Sequence, residues 1–243
     1  MAARAMGQAL SQGEEGCDPV SLTANFIAPA AQGMVDIDIM PLRQGRRFSQ
    51  ATAIVKQNGQ ACLQLSGSFG HFDKLKGAQC SEFIAPGMPS IKACKKQQMP
   101  NMPFQQQVDI RLASEDLEYY SSGGKREMEI RGYVRFADGR PADFLSLLLF
   151  ADAFPRALMM RTGPIGWIPT MDLTVQCLAM PAPGFIAARF QSVKLAKGIL
   201  EERGEMWDSN GTLVAVCRQA AVPRVPAQCS EQLSQKVTIA HVA

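Results

Sequence analysis

Two stretches of this chain carry the same landmarks in the same order, and that duplication constrains its folding more than any other feature. Leu22-Thr23 recurs as Leu173-Thr174, 151 positions further on (173 − 22). Each stretch then reaches a turn glycine, Gly33 or Gly184, again 151 apart (184 − 33). Beyond these, Asn58-Gly59 and Asn210-Gly211 are separated by 152 (210 − 58). Asn-Gly between apolar runs marks a tight hairpin, because a type I′ turn needs φ > 0 at both central residues. Three ordered landmarks at a nearly constant offset read as a tandem copy of one supersecondary unit.

Within each copy, alternating or continuous apolar runs read as strands. They are Ser21–Ala28, Met34–Leu42, Phe48–Gln57 and Gln60–Phe69 in the first copy. In the second they are Thr170–Leu178, Phe185–Leu195, Ile199–Trp207 and Thr212–Ala221. Short connections imply a mostly antiparallel sheet. Ahead of the second set lies Pro141–Met160, with the run Phe144-Leu145-Ser146-Leu147-Leu148-Leu149-Phe150-Ala151. It is apolar on nearly every side and reads as a buried helix, and Asp143 in its first turn suits the helix dipole. Glu127–Phe136 reads as a further strand. In the first copy Ala3–Leu10 is the matching helix, with no strand ahead of it. The expected organisation is a first unit at 1–72, incomplete at its start, and a second unit at 125–223. Residues 73–124, rich in Pro, Gly, Gln and Lys, read as an irregular linker. Residues 224–243 read as a polar tail, with Val237–Val242 a candidate edge strand.

Composition narrows the function classes. Of 243 residues, 47% are hydrophobic and 19% charged, as in ordinary globular proteins. The longest strongly apolar stretch is too short to cross a bilayer. Met1–Gln12 has no charged-then-apolar leader pattern, so a cytoplasmic protein with no membrane partner is expected. A net charge of +3 is too slight to argue for nucleic acid and is compatible with an anionic small ligand. The seven cysteines are scattered and form no C-x-x-C pair, so neither a zinc site nor a disulfide framework is signalled. His71 and His241 are the only histidines, which leaves little room for a Ser-His-Asp set or a His-ligated metal. No metal or cofactor is expected.

A central helix wrapped by an antiparallel sheet, present twice in one chain, is an α+β double-hotdog plan. The residues themselves resemble the acyl-CoA thioesterase II family. The resemblance runs from Ser21-Leu22-Thr23-Ala24-Asn25-Phe26 to Gly45-Arg46-Arg47-Phe48-Ser49, and on to Gln57-Asn58-Gly59. In the second half it follows Ala151-Asp152-Ala153-Phe154-Pro155, Pro169-Thr170-Met171-Asp172 and Gly211-Thr212-Leu213-Val214-Ala215, ending at Arg218-Gln219-Ala220. The resemblance implies hydrolysis of fatty acyl-CoA to free acid and CoA by a homo-oligomer, a dimer or tetramer. It further implies a water held by an aspartate, a glutamine and a hydroxyl residue. In this chain these fall on Asp172, Gln219 and Ser192, with Val193 the alternative alignment for the hydroxyl position. Family members often have His after the aspartate, where this chain has Leu173.

Read without the resemblance, Asp172 is an acid inside an otherwise apolar strand, and buried carboxylates are rare unless paired or functional. The Gln219 amide can both donate and accept, as water positioning requires; the plainer reading of Gln219 and Ser192 is as ordinary strand residues. Asp152 reads as a structural acid near the helix end, with the cleft as its alternative. Gln44-Gly45-Arg46-Arg47 reads as a solvated turn, with CoA phosphates as its alternative. The amides around Ala142–Leu145 are candidate oxyanion donors, and the apolar face between helix and sheet is a candidate acyl groove. Without a triad, attack by water with no acyl-enzyme is expected. The rival readings are a hotdog enoyl-thioester hydratase, which would want a histidine beside the acid, and a non-catalytic acyl-CoA-binding or assembly module.

Overall fold

The computed structural model describes residues 1–11, 16–78, 80, 83–97, 106–125, 127–226, 229 and 233. The first copy comprises helix α1 (Ala2–Leu10) and strands β1 (Asp18–Phe26), β2 (Asp36–Arg43), β3 (Ser49–Gln57) and β4 (Gln60–Gly70). The second comprises β5 (Cys94–Lys96), β6 (Val108–Ala113), α2 (Ser114–Ser122), β7 (Glu129–Phe136), α3 (Phe144–Ala153) and α4 (Met159–Thr162). It continues through β8 (Thr170–Cys177), β9 (Ile186–Ala196), β10 (Ile199–Trp207) and β11 (Leu213–Ala221). All eleven strands form one sheet in the order β2-β3-β4-β1-β8-β11-β10-β9-β7-β6-β5. The order reads outward from the β1–β8 seam as the same connectivity twice. At that seam Thr23 pairs with Thr174, the two copies of one residue.

The duplication extends to irregularities. Between β2 and β3 the register steps from Pro41 to Arg43, leaving Leu42 as a bulge. Between β9 and β10 it steps from Ser192 to Lys194, leaving Val193 as the bulge. Leu42 and Val193 are again 151 apart (193 − 42). The turns have diverged more. Asn58 and Gly59 both take positive φ, as a type I′ hairpin requires, but of Asn210-Gly211 only the glycine does. There the Asp208 carboxylate organises the turn by accepting from the amides of Asn210, Thr212 and Ala182.

One face of the sheet packs on the helices. Leu173, Val175 and Cys177 of β8 point to that face and meet Phe144, Leu147 and Phe150 of α3 in the larger core. Leu148 of α3 also touches the first copy's core around Met6, Leu22 and Phe69, so α3 ties the two halves together. Each fully buried Phe or Leu of this kind contributes about 1.5–3 kcal/mol.

Two sequence expectations need correction. The helix foreseen over Pro141–Met160 is shorter: α3 ends at Ala153, before Pro155, and α4 follows as a separate turn. Residues 73–124 are not a bare linker, since β5 and β6 extend the second copy's sheet and α2 packs beside them. The polar composition of the segment as a whole concealed two short strands, β6 paired to β7 and β5 paired to β6 at the sheet edge. Val237–Val242 lies outside the described residues. Among the described residues no helix is long and apolar enough to cross a membrane.

Candidate active site

The three residues singled out in the sequence do not all meet. Ser192, Glu202 and Gln219 stand abreast on β9, β10 and β11, and the row continues to Leu173 on β8. Directly opposed residues of an antiparallel pair share a face, so all three polar side chains point inward, each 1–3% exposed. Asp172 is one residue out of phase with that row. It pairs with Ala220 and Asn25 on the opposite face of the sheet. There its half-buried carboxylate lies 3.6 Å from the Arg218 guanidinium. The expectation of Asp172 buried beside Gln219 is therefore corrected: strand alternation carries it to the other side.

A second bulge decides what replaces it. The β8–β11 register steps from Asp172–Ala220 to Thr170–Ala221, so Met171 is the extra residue. The bulge returns Thr170 to the inner face, where its Oγ1 lies 3.5 Å from Gln219 Oε1. Arg156, just beyond the end of α3, donates from Nη2 to Thr170 Oγ1 at 2.9 Å and to Asp152 Oδ1 at 2.8 Å. Its Nη1 reaches Glu202 Oε1 at 3.4 Å. Burial alone would lower the Arg156 pKa, but the Glu202 and Asp152 carboxylates outweigh it and hold the guanidinium above its ordinary value.

Above this cluster opens a cavity of about 490 Å³ lined by Leu149, Phe154, Met159, Trp167 and Ile168, with Asp152, Arg156 and Thr170 at its polar part. Leu149 is 37% exposed on a helix otherwise largely buried, and Trp167 is 66% exposed. Both exposed apolar groups are accounted for by the cavity they line. Trp207, by contrast, is core. Asp152 accordingly faces the cleft, the alternative rather than the first reading of its sequence context.

The helix N-terminus does not serve as foreseen. The Ser146 amide donates to Asp143 Oδ1 at 2.7 Å, and the Ser146 hydroxyl accepts from the Asp143 amide at 3.0 Å. This capping box engages the Asp143 amide, one of the donors assigned to an oxyanion, and the cavity described above lies at the other end of α3. In the first copy, register places Pro41, Ala51 and Gly67 where the second has Ser192, Glu202 and Gln219. The cavity at that end, about 300 Å³, is lined by Cys17, Arg46, Arg47 and His71 and, among the described residues, by no carboxylate. Among the described residues, no cluster of side chains suited to a metal ion occurs.

Models of the acyl-CoA thioesterase N-terminal and C-terminal domains match residues 1–70 and 85–222. The chain belongs to the acyl-CoA thioesterase family. This thioesterase shares 24% identity with an uncharacterized protein of Mycobacterium tuberculosis over 230 residues, 86% of this chain and 77% of that protein. Its fold matches a Thermobifida fusca protein provisionally classed as a thioesterase II (25% identity, 88% and 81% of the two chains, TM-score 0.78). It also matches a hot dog protein of unknown function from Alicyclobacillus acidocaldarius (23%, 92% and 86%, TM-score 0.78). An acyl-CoA thioesterase II of Mycobacterium marinum is more distant (17%, 87% and 82%, TM-score 0.64). The double hotdog expected from the residues is thus the fold of the chain, and the enzyme is a thioester hydrolase.

Sequence reading missed Glu202, Arg156 and Thr170 as members of the cluster. Glu202 had a legible signal: Leu200, Glu202, Gly204 and Met206 are in phase, and both apolar members of that set are fully buried. Thr170 had none, because its face depends on the bulge.

Proposed function

We propose that this thioesterase hydrolyses fatty acyl-CoA by direct attack of water at the Asp152 end of the cavity. The observation that carries this reading is the placement of Asp152, Arg156 and Thr170, backed by Gln219, at one part of an otherwise apolar cavity. The acyl chain lies against Leu149, Phe154, Met159, Trp167 and Ile168, with its thioester at the polar end. Asp152 accepts a proton from the attacking water, and Thr170, held from behind by Gln219, orients that water. Two carboxylates, Asp152 and Glu202, surround one guanidinium. The cluster's net negative charge suits proton abstraction better than storage of an oxyanion. Attack without an acyl-enzyme agrees with the histidine inventory: His71 contacts Cys17 Sγ at 3.6 Å in the first copy, away from the cavity.

A second reading keeps Asp172 as the base, acting on the face of the sheet opposite Gln219 and Ser192. It is favoured by the half-exposed carboxylate at the seam between the copies, opposite Asn25. Free-thiol release from acyl-CoAs of graded chain length separates the two. The first expects Asp152→Asn to lower kcat by roughly 100-fold or more, with Asp172→Asn near wild type. The reverse order would install the second reading. No release from the wild-type protein at any length would remove both.

A further inference from the structure

We propose that Glu202 is a positioning residue: it touches no part of the cavity, yet it sets which chemical end every polar group at the cavity presents. The inference rests on the reading that Asp152 and Thr170, with Gln219 behind the threonine, face the thioester. Glu202 is 1% exposed, and four donors converge on its two oxygens. Oε1 receives Gln219 Nε2 at 3.1 Å and Arg156 Nη1 at 3.4 Å. Oε2 receives the Ala157 amide at 2.7 Å and the Ser192 hydroxyl at 2.9 Å. A carboxylate offers about four acceptor sites, so this group is saturated and has no capacity left for a water.

The first consequence concerns Gln219. Its amide has one donating and one accepting end, and the acceptor Glu202 claims the donating end. The carbonyl oxygen therefore turns to Thr170, so Gln219 presents an acceptor to the threonine that lines the cavity. The second concerns Arg156. Anchored at Nη1 by Glu202, it delivers Nη2 to both Asp152 and Thr170. The Thr170 oxygen accepts from Arg156, so its own hydrogen points to Gln219 Oε1 or Asp152 Oδ1, each 3.5 Å away. The third concerns Ser192, whose hydroxyl is within bonding distance of Glu202 rather than at the cavity. Its role is to hold Glu202, not the water. Because Ala51 stands in the place of Glu202 in the first copy, the device exists once per chain.

The test compares wild type, Glu202→Gln, and Glu202→Gln combined with Gln219→Glu, with thiol release and thermal melts read together. In Glu202→Gln an amide nitrogen faces former donors, so Gln219 rotates and presents its NH2 to Thr170, which turns the threonine hydroxyl at the cavity. The expected result is a fall in kcat of roughly 100-fold with KM within about twofold, in protein that still melts cooperatively. The exchanged pair restores one acid and one amide with an acceptor facing Thr170, and at least about tenfold of kcat should return. Glu202→Gln with wild-type kcat, or with a loss no larger than its loss of folded protein, overturns the proposal. If Glu202→Gln does not fold, the exchanged pair is read alone. An active exchanged pair supports the proposal, and an inactive or unfolded one overturns it. Absence of turnover in the wild type is a failure of the functional reading instead.

Discussion

The hydroxyls of Thr23 and Thr174 lie 2.9 Å apart across the β1–β8 seam. They are the same residue of the two copies, and their pairing is self-complementary, as contacts across a twofold must be. Replacing one by valine leaves the other hydroxyl without its partner. Thr23→Val and Thr174→Val should each cost about 1 kcal/mol. The double variant should cost less than the two added together, because neither hydroxyl is then left alone. Denaturant unfolding midpoints of the three variants check this. Additive losses would show that the pair does not couple the halves.

Leu149 and Trp167 set the dimensions of the cavity. Enlarging the first side chain should shorten the acyl chain that fits. Leu149→Phe is expected to lower kcat/KM for the longest accepted acyl-CoAs by about fourfold per displaced methylene, from ~0.8 kcal/mol each. Short acyl-CoAs should be spared, and Leu149→Ala should move the preference the other way. Profiles of kcat/KM against chain length are the measurement. An unchanged profile would place the acyl chain elsewhere.

Asp18 sits at the start of β1. Burial pushes its pKa up, and Asp143 and Asp73 add to the rise against the opposing pull of His71 and the Phe72 amide. A carboxyl whose folded value is raised costs stability as pH climbs from its unfolded value through its folded one, and that cost persists above both. Below both values the group is protonated in either state and the cost vanishes. Asp18→Asn removes the titration, so it should raise Tm near pH 7 and leave it unchanged at about pH 3. Melting curves across this range test the sign. A variant less stable than wild type at neutral pH would show that Asp18 is held as a favourable anion.

Much of the fold was legible. All nine runs read as strands are strands, because their alternation or apolar continuity reflects burial on one face of a sheet. The helix core Phe144–Ala151 could be seen because its side chains are apolar in every direction. The short strands β5 and β6 were not legible, since β5 is a three-residue edge strand and β6, between β5 and β7, is only six residues long, too short to leave a clear periodic signal. The Pro141–Met160 helix was overextended because its apolar character runs past Pro155, where the backbone cannot continue.

The sequence by itself determined the duplication, the antiparallel connectivity within each copy, and the placement of Gln219 and Ser192 in strands rather than loops. It could not say which acid those residues meet. That choice was made by pairing: alternation places Asp172 on the far face with Arg218, while the bulge at Met171 returns Thr170 to the near face. The bulge at Val193 likewise settles the hydroxyl position, leaving Val193 47% exposed and Ser192 inward. The physical reason is the two-residue period of a strand. A single unpaired residue reverses every later side chain, and whether a residue is unpaired depends on its neighbour strand, not on its own local sequence.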